Sequence, residues 1–322
     1  MKEFDLIKGY FAKQALNRKD VIAGIGDDCA VLQPSERQNI AVTTDTLVEG
    51  VHFPRNTSAK AVGHKVVAVS LSDLAAMGAE PAWISLAITL PIADELWVKD
   101  FCDGVFELCE YYNVQLIGGD TTQGPLSVTV TAQGFTPLEK HLTRSGAKSG
   151  DWLYVTGEVG DAALALQDIL GNVDIEEQYK ASVRKSLDFP KPRVLAGQTL
   201  REYASSAIDI SDGILSDLKH ICVASGVGAN IVLDDLPIST VMHDTLGQDK
   251  AVELALNGGD DYELLFTVSQ DNKVGMETAL ANAGITITCI GQINSSEKIT
   301  TTLNSQAVSI KKQGFEHFWY PG

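Results

Sequence analysis

Apolar and polar positions alternate along the first half of the chain in a way that predicts short strands and amphipathic helices. The segments "AWISLAITL", "VQLIGG" and "LSVTVTAQGF" are strand-like, and shorter apolar runs lie at 28–33 and 40–44. Helical spacing over 59–78 and in "DELWVKDFCDGVFELCEYYN" predicts two long helices. An amphipathic helix is also expected at the start of the chain.

The second half restarts this mixture after a polar, glycine-punctuated segment, "PLEKHLTRSGAKSG". Strands are expected in "DWLYVTG", "SAIDIS", "YELLFTV" and "ITITCIGQI", and helices in "GDAALALQDIL" and "DGILSDLKHICVAS". A chain of 322 residues is about twice an average domain. We therefore expect an α+β protein with domains at 1–137 and 151–322, joined by a linker at 138–150.

Composition excludes several classes of protein. Hydrophobic residues make up 44% and charged residues 21% of the chain, as in ordinary folded domains. A net charge of −17 would repel a phosphate backbone, so nucleic acid is not an expected partner. The first residues lack a signal-peptide pattern, and no apolar run is long enough for a membrane span, which favours a cytoplasmic location. The five cysteines form no CxxC pair and predict no disulfide framework.

Aspartates recur beside apolar segments and are the main candidates for chemistry. A single aspartate at a strand end also makes turns or caps helices, but Asp73 falls on the apolar stripe of its predicted helix, where an unpartnered carboxylate is costly. Thr43, Thr44 and Asp45 are expected where a strand ends. The six aspartates singled out in this way are Asp27, Asp45, Asp73, Asp120, Asp209 and Asp212.

If several of these carboxylates converge, bound cations would relieve their repulsion. Carboxylates with neighbouring threonine hydroxyls form an oxygen-only set, which favours Mg²⁺ over zinc. Because Mg²⁺ in proteins usually bridges to substrate phosphates, a nucleotide is the leading ligand class. The common phosphate-binding motifs are missing, since "GAKSG" is not a P-loop and "GIGDDC" lacks the third glycine of GxGxxG.

Seven motifs in order resemble those of the thiamine-monophosphate kinase family: "GIGDDCAVL", "TTDTLVEGVHF", "VSLSDLAAMGAEP", "LIGGDTT", "GDWLYVTGEVGDAALAL", "AIDISDGILSDL" and "NGGDDYELLF". The resemblance implies a two-domain PurM-like fold, in which each domain is a mixed β-sheet packed with helices and the N-terminal domain pairs with its copy in a homodimer. It implies that ATP is held in a cleft by several Mg²⁺ ions and that the reaction converts ATP and thiamine phosphate to ADP and thiamine diphosphate.

Carried over position by position, the resemblance also implies site residues. The implied Mg²⁺ ligands are Asp27, Thr43, Thr44, Asp45, Asp73, Asp120, Asp209 and Asp212. The positions that match ATP contacts are Tyr112, Gly119, Asp120, Arg144 and Ser211. The positions that match thiamine phosphate contacts are His52, Glu263 and Trp319.

The chemistry of these residues is compatible with those roles. A carboxylate such as Glu263 can accept a hydrogen bond from an aminopyrimidine or attract the thiazolium cation, and an indole can stack on either ring. No Ser/His/Asp or Cys/His set is evident, and none is needed, because the acceptor phosphate is itself a nucleophile. Two alternatives stay open: another ATP-dependent ligase or cyclase of the wider aminoimidazole ribonucleotide synthetase superfamily, and a non-catalytic nucleotide-binding regulator.

Overall fold

The computed structural model describes the backbone of residues 3–310 and the side chains of residues 5–310. The described chain separates into two compact units, one formed by residues 3–74 and 79–141, the other by residues 75–78 and 142–310. Within the described residues, no helix is both long and apolar enough to span a bilayer.

Among its described residues, the first unit contains three α-helices and a four-stranded sheet. Its helices are α1 (Glu3–Gly9), α2 (Ala59–Ala76) and α3 (Glu95–Tyr111). Its strands are β1 (Val21–Ala23), β2 (Val31–Leu32), β3 (Gln38–Val48), β4 (Glu80–Leu90), β5 (Gln115–Gln123) and β6 (Ser127–Pro137). The sheet order is β3-β6-β4-β5, with β4 and β5 parallel and the other pairs antiparallel. The small β1–β2 ribbon is separate.

Helix α2 is buried almost all round, because it lies between the sheet and α3 in one apolar cluster. We call the sheet surface that packs on α2, with Leu86, Val128 and Val130, the inner face. The opposite surface, with Val42, Thr44 and Thr46 exposed on β3, is the outer face. Period-2 alternation along β3 decides which side chains reach α2 and which do not.

The second unit contains a seven-stranded sheet in the order β13-β12-β9-β11-β7-β10-β8. Its strands are β7 (Trp152–Thr156), β8 (Ala204–Asp209), β9 (Gly228–Val232), β10 (Leu264–Val268), β11 (Ile287–Asn294), β12 (Ile299–Leu303) and β13 (Gln306–Val308). Its helices are α4 (Asp161–Ile169), α5 (Glu177–Asp188), α6 (Val194–Leu200), α7 (Ile214–Ser225), α8 (Thr240–Leu246), α9 (Gln248–Asn257) and α10 (Gln270–Asn282). The core of this unit is built from β7, β8, β10 and β11 with α4, α7 and α9.

Most predicted elements of the first half are present within a few residues of their expected bounds. One local prediction is wrong: Thr43, Thr44 and Asp45 do not end a strand. β3 continues to Val48, because it pairs with β6 over its whole length, from Gln38 opposite Pro137 to Val48 opposite Ser127. The second half contains elements that the apolar pattern did not predict, including α5, α6, α8, α9 and α10.

Candidate functional site

The inner face and α2 together form a half-buried group of oxygen atoms. Thr43 and Asp45 are two residues apart on β3 and therefore point to the same side. The hydroxyl of Thr43 donates a hydrogen bond to Oδ2 of Asp73 on α2. Ser70, three residues before Asp73 and on the same side of that helix, donates to Oδ2 of Asp45 at 2.9 Å. We call these four residues the α2 acidic group.

The two carboxylates of this group, Asp45 and Asp73, repel each other when both are ionised. Burial is the main cause that raises the pKa of Asp45 to about 6, and the charge of Asp73 is the second. The hydrogen bond from Ser70 lowers this pKa. A bound cation would offset the repulsion between these two carboxylates. Among the described residues no group of three or more His, Cys, Asp or Glu side chains forms a complete metal site. Mg²⁺ does not require one, because it is commonly held by one or two carboxylates, waters and substrate phosphates. The α2 acidic group fits that pattern.

Thr44 does not belong to this group. Its hydroxyl lies on the outer face, 3.0 Å from the hydroxyl of Thr131 on β6. Asp120 is also distant, because it lies on β5 while Asp45 lies on β3, and these are the two edge strands of the sheet. Three strand spacings amount to about 14 Å. Within one chain, therefore, Asp45 and Asp120 do not share one ion, and the expected convergence of these carboxylates is not observed there.

Other predicted residues of the first unit lie in turns or at element ends. Asp27 is exposed between β1 and β2. His52 follows β3, and its Nδ1 accepts from the backbone N–H of Val48 at 2.9 Å, so the proton of the neutral ring is on Nε2. Tyr112 is the C-terminal cap of α3. Gly119 lies where a Cβ would come within 1.8 Å of the Leu86 carbonyl oxygen, so β4 and β5 can pair only if this residue is glycine.

In the second unit, a turn between β8 and α7 carries three of the predicted residues. Asp209 is the buried last residue of β8, and Ser211 and Asp212 follow it. The backbone N–H groups of Ser211 and Asp212 both donate to Oδ2 of Asp217 on α7, each at 3.1 Å. Burial is the main cause that raises the pKa of Asp217 to about 7, and the nearby positive charge of Arg144 acts against it. Asp217 thus fixes the turn.

Glu263, immediately before β10, is held by two other residues of the second unit. Arg193, at the start of α6, binds both carboxylate oxygens, with 2.6 Å between Nε and Oε2. Thr156 at the end of β7 donates to Oε2 at 2.5 Å. Glu263 lines a cavity of about 290 Å³. Its lining residues are Glu158, Asp161, Ser182, Lys185, Ser186, Phe189, Pro190, Lys191, Arg193, Asp261 and Glu263.

Sequence reasoning missed several residues of these arrangements. Ser70 had a usable signal, because its spacing of three from Asp73 puts both on one side of a helix. Asp217 lies within the quoted motif "AIDISDGILSDL". No local sequence pattern could have linked Arg193 or Thr156 to Glu263, because 70 and 107 residues separate them from it. Trp319 lies outside the described residues.

The comparisons with known proteins agree over nearly the whole chain. Residues 26–136 match the model of the AIR synthase related protein N-terminal domain, and residues 148–304 match the corresponding C-terminal domain. A thiamine-monophosphate kinase of Escherichia coli (strain K12) is 47% identical over 322 residues, with 99% of each chain covered. The chain belongs to the thiamine-monophosphate kinase family. The expected family resemblance is thereby confirmed.

Solved structures support the same fold. A thiamine-monophosphate kinase from Stenotrophomonas maltophilia K279a has a TM-score of 0.87 at 43% identity, covering 96% of this chain and 98% of that chain. AaThiL, complexed with AMPPCP and TMP, has a TM-score of 0.77 at 31% identity, covering 98% of this chain and 97% of that chain. The predicted two-domain α+β, PurM-like fold is confirmed.

Proposed function

We propose that this protein transfers the γ-phosphoryl group of ATP to thiamine phosphate, giving ADP and thiamine diphosphate. The observation that carries the proposal is the similarity of 99% of the chain to the thiamine-monophosphate kinase of Escherichia coli (strain K12). The relative that is complexed with AMPPCP and TMP supports ATP and thiamine phosphate as the two substrates. The other ATP-dependent enzymes of the superfamily and the regulator alternative have no comparable support.

We assign Mg²⁺ to the acidic residues of both units. Asp45, Asp73 and the hydroxyl of Thr43 form the best-supported set, because they are already adjacent and partly buried. Bound Mg²⁺ would supply charge neutralisation for the triphosphate. The further ligands in this proposal are Asp27, Thr44, Asp120, Asp209 and Asp212.

The substrate contacts remain part of the same proposal. The ATP contacts are Tyr112, Gly119, Asp120, Arg144 and Ser211, and the thiamine phosphate contacts are His52, Glu263 and Trp319. The turn fixed by Asp217 supports a positioning function for Ser211. The cavity beside Glu263 supports a role of that carboxylate toward the acceptor.

The chemistry needs no general base on the protein. The acceptor is a phosphate monoester that is largely dianionic near neutral pH, so its oxygen attacks the γ-phosphorus directly while the bond to the β-phosphate oxygen breaks. The tasks of the chain are to align the two phosphates and to exclude water. We infer direct in-line transfer without a phosphoenzyme. Recovery of a phosphorylated side chain after incubation with labelled ATP alone would contradict this.

We also propose that the protein is a homodimer formed through the first unit. Ile40 and Val42 of β3 are 48% and 62% exposed on the outer face. Exposing apolar side chains to water on an edge strand is unfavourable and is often a sign of an interaction surface. A second copy packed on this face would bury them. Sedimentation that gave only a monomer of 34.5 kDa at micromolar concentration would refute this part of the proposal.

The function is tested by chromatography of the reaction products. The purified protein is incubated with ATP and Mg²⁺ and with either thiamine phosphate or free thiamine, and a parallel sample contains excess chelator. We expect thiamine diphosphate from thiamine phosphate alone, and none in the presence of the chelator. Absence of thiamine diphosphate in every sample, despite Mg²⁺-dependent binding of ATP, would reject the proposed function.

A further inference from the structure

Arg144 is carried by a short segment, residues 143–147, which we call the Arg144 segment. Within the described part of the chain it lies along β8, an edge strand of the seven-stranded sheet. The carbonyl oxygen of Thr143 accepts a hydrogen bond from the backbone N–H of Ala207 on β8 at 2.9 Å. Gly146 has a φ of +119°, and a Cβ there would lie 2.3 Å from a backbone carbonyl oxygen of the same strand. The segment is therefore held against β8 on both sides of Arg144.

Ser225, the last residue of α7, binds the backbone of the Arg144 segment. Its Oγ accepts from the N–H groups of Gly146 and Ala147, each at 3.2 Å, and donates to the carbonyl oxygen of Arg144 at 3.3 Å. A hydroxyl offers one donor and two acceptor positions, so these three contacts use all of them. One side chain thus fixes three backbone groups in a segment that lies about 80 residues earlier in the chain.

The other end of α7 holds the turn that carries Ser211. Asp217, in the first turn of this helix, accepts from the backbone N–H groups of Ser211 and Asp212. Asp217 and Ser225 are separated by about 12 Å along the helix axis. The positive charge of Arg144 is close enough to Asp217 to lower the pKa of that carboxyl, so the guanidinium extends from the Ser225 end of α7 toward the Asp217 end. One helix therefore supports both Arg144 and Ser211.

We propose that Ser225 is a positioning residue for ATP: it fixes the backbone around Arg144 and so directs the guanidinium toward the turn that carries Ser211. This inference rests on the proposed function, which assigns Arg144 and Ser211 to ATP. Arg144 is exposed, so an unfixed segment would have many conformations that ATP would have to order on binding. The Ser225 hydroxyl provides this order before ATP binds. Its removal should weaken ATP binding and leave the transfer step unchanged.

Removal of the hydroxyl tests this role. The affinity for AMPPCP in the presence of Mg²⁺ is measured by titration calorimetry, and kcat and KM are measured for both substrates. In Ser225→Ala the Kd of AMPPCP and the KM for ATP should rise at least about fivefold, whereas kcat and the KM for thiamine phosphate should stay within about twofold of wild type. Ser225→Thr keeps the hydroxyl and should restore most of the affinity.

Thr278→Val is the matched control for the loss of one helix hydroxyl. Thr278 lies on α10, and its hydroxyl donates within the same helix, to the carbonyl oxygen of Val274 at 2.8 Å. This variant should bind AMPPCP with the wild-type affinity. Equal weakening in Thr278→Val and Ser225→Ala would contradict a specific role of Ser225.

A double-mutant cycle with Arg144→Gln tests whether Ser225 acts through Arg144. If it does, Ser225→Ala should weaken AMPPCP binding by less than about twofold once Arg144 has been replaced. A general loss of order would instead weaken binding by the same factor in both backgrounds. Additive effects of the two substitutions would therefore overturn the positioning role.

The outcomes distinguish this inference from the proposed function. If the wild type binds AMPPCP but forms no thiamine diphosphate, the proposed function fails, and the cycle still decides the role of Ser225. If the wild type forms thiamine diphosphate but Ser225→Ala binds AMPPCP with unchanged affinity, only this inference fails. Absence of both product and AMPPCP binding in the wild type would overturn both.

Discussion

Thr43 on β3 donates a hydrogen bond to the carboxylate of Asp73 on α2. This contact joins the sheet to the helix at the site proposed for Mg²⁺. A strand residue thereby sets the orientation of a carboxylate that lies 30 residues further along the chain.

The Thr43 hydroxyl should be needed for activity. Hydrogen bonds to charged groups contribute about 1.5–3 kcal/mol, so Thr43→Val should lower kcat/KM by at least about tenfold. Thr46→Val is the matched control, since Thr46 lies on the same strand but on the outer face, with its hydroxyl 2.9 Å from that of Thr129. It should stay within about threefold of wild type. Equal effects of the two substitutions in steady-state kinetics would contradict the assignment.

Asp45 should make the metal-free protein less stable as pH rises. Its pKa is about 6 when folded, raised by burial and by Asp73, against 3.8 when unfolded. Between pH 4 and 6 the unfolded chain has lost this proton and the folded chain has kept it, so the free energy of unfolding falls with pH. This decrease in the free energy of unfolding is complete above pH 6 and amounts to about 3 kcal/mol.

Asp45→Asn removes this titration, so it should be more stable than wild type by up to about 3 kcal/mol at pH 7.5 and nearly equal at pH 4. Chemical denaturation with chelator present measures the difference. Asp100→Asn, a change at an exposed residue of α3, should alter stability by less than about 0.5 kcal/mol. A pH-independent difference between Asp45→Asn and wild type would contradict the shifted pKa. Asp45→Asn should also be inactive.

Asp217 should stabilise the turn that follows β8. Asp217→Ala leaves the partly buried N–H groups of Ser211 and Asp212 without their acceptor, which should cost about 1–3 kcal/mol in urea denaturation. Asp217→Asn retains an acceptor oxygen and should cost less than half as much. Apparent affinity for ATP should follow the same order. If alanine and asparagine behaved identically, the hydrogen bonds would not be the cause.

Gly119 should be irreplaceable for a steric reason. The Cβ of alanine would overlap the Leu86 carbonyl oxygen of the neighbouring strand, so Gly119→Ala should lower stability by more than about 2 kcal/mol and abolish turnover. Gly118 is the matched control, because a Cβ there would meet no atom within 4 Å. Gly118→Ala should cost less than about 1 kcal/mol. Thermal unfolding of the two variants separates the two explanations. A steric requirement predicts that Gly119→Ala is destabilised, whereas a role limited to ATP contact predicts that its stability is unchanged.

The sequence by itself determined the local elements and the family. Periodic apolar segments such as the one that became α3 are decided by neighbours three or four residues apart, and so they can be recognised without the fold. The seven ordered motifs contain the aspartates and hydroxyl groups that we propose as Mg²⁺ ligands. The same patterns did not predict α6 and α8, because these helices are only seven residues long and their stability comes from tertiary packing.

Only the tertiary structure decided the length of β3, the face on which each threonine lies, and the partners of Glu263. β3 extends past Asp45 because β6, more than 75 residues later, supplies hydrogen bonds along its whole length. Thr43 and Thr44 are adjacent in sequence but point to opposite faces, and packing alone determines which face is buried. Arg193 meets Glu263 because α6 and β10 are brought together by folding, and no local pattern encodes a contact across 70 residues.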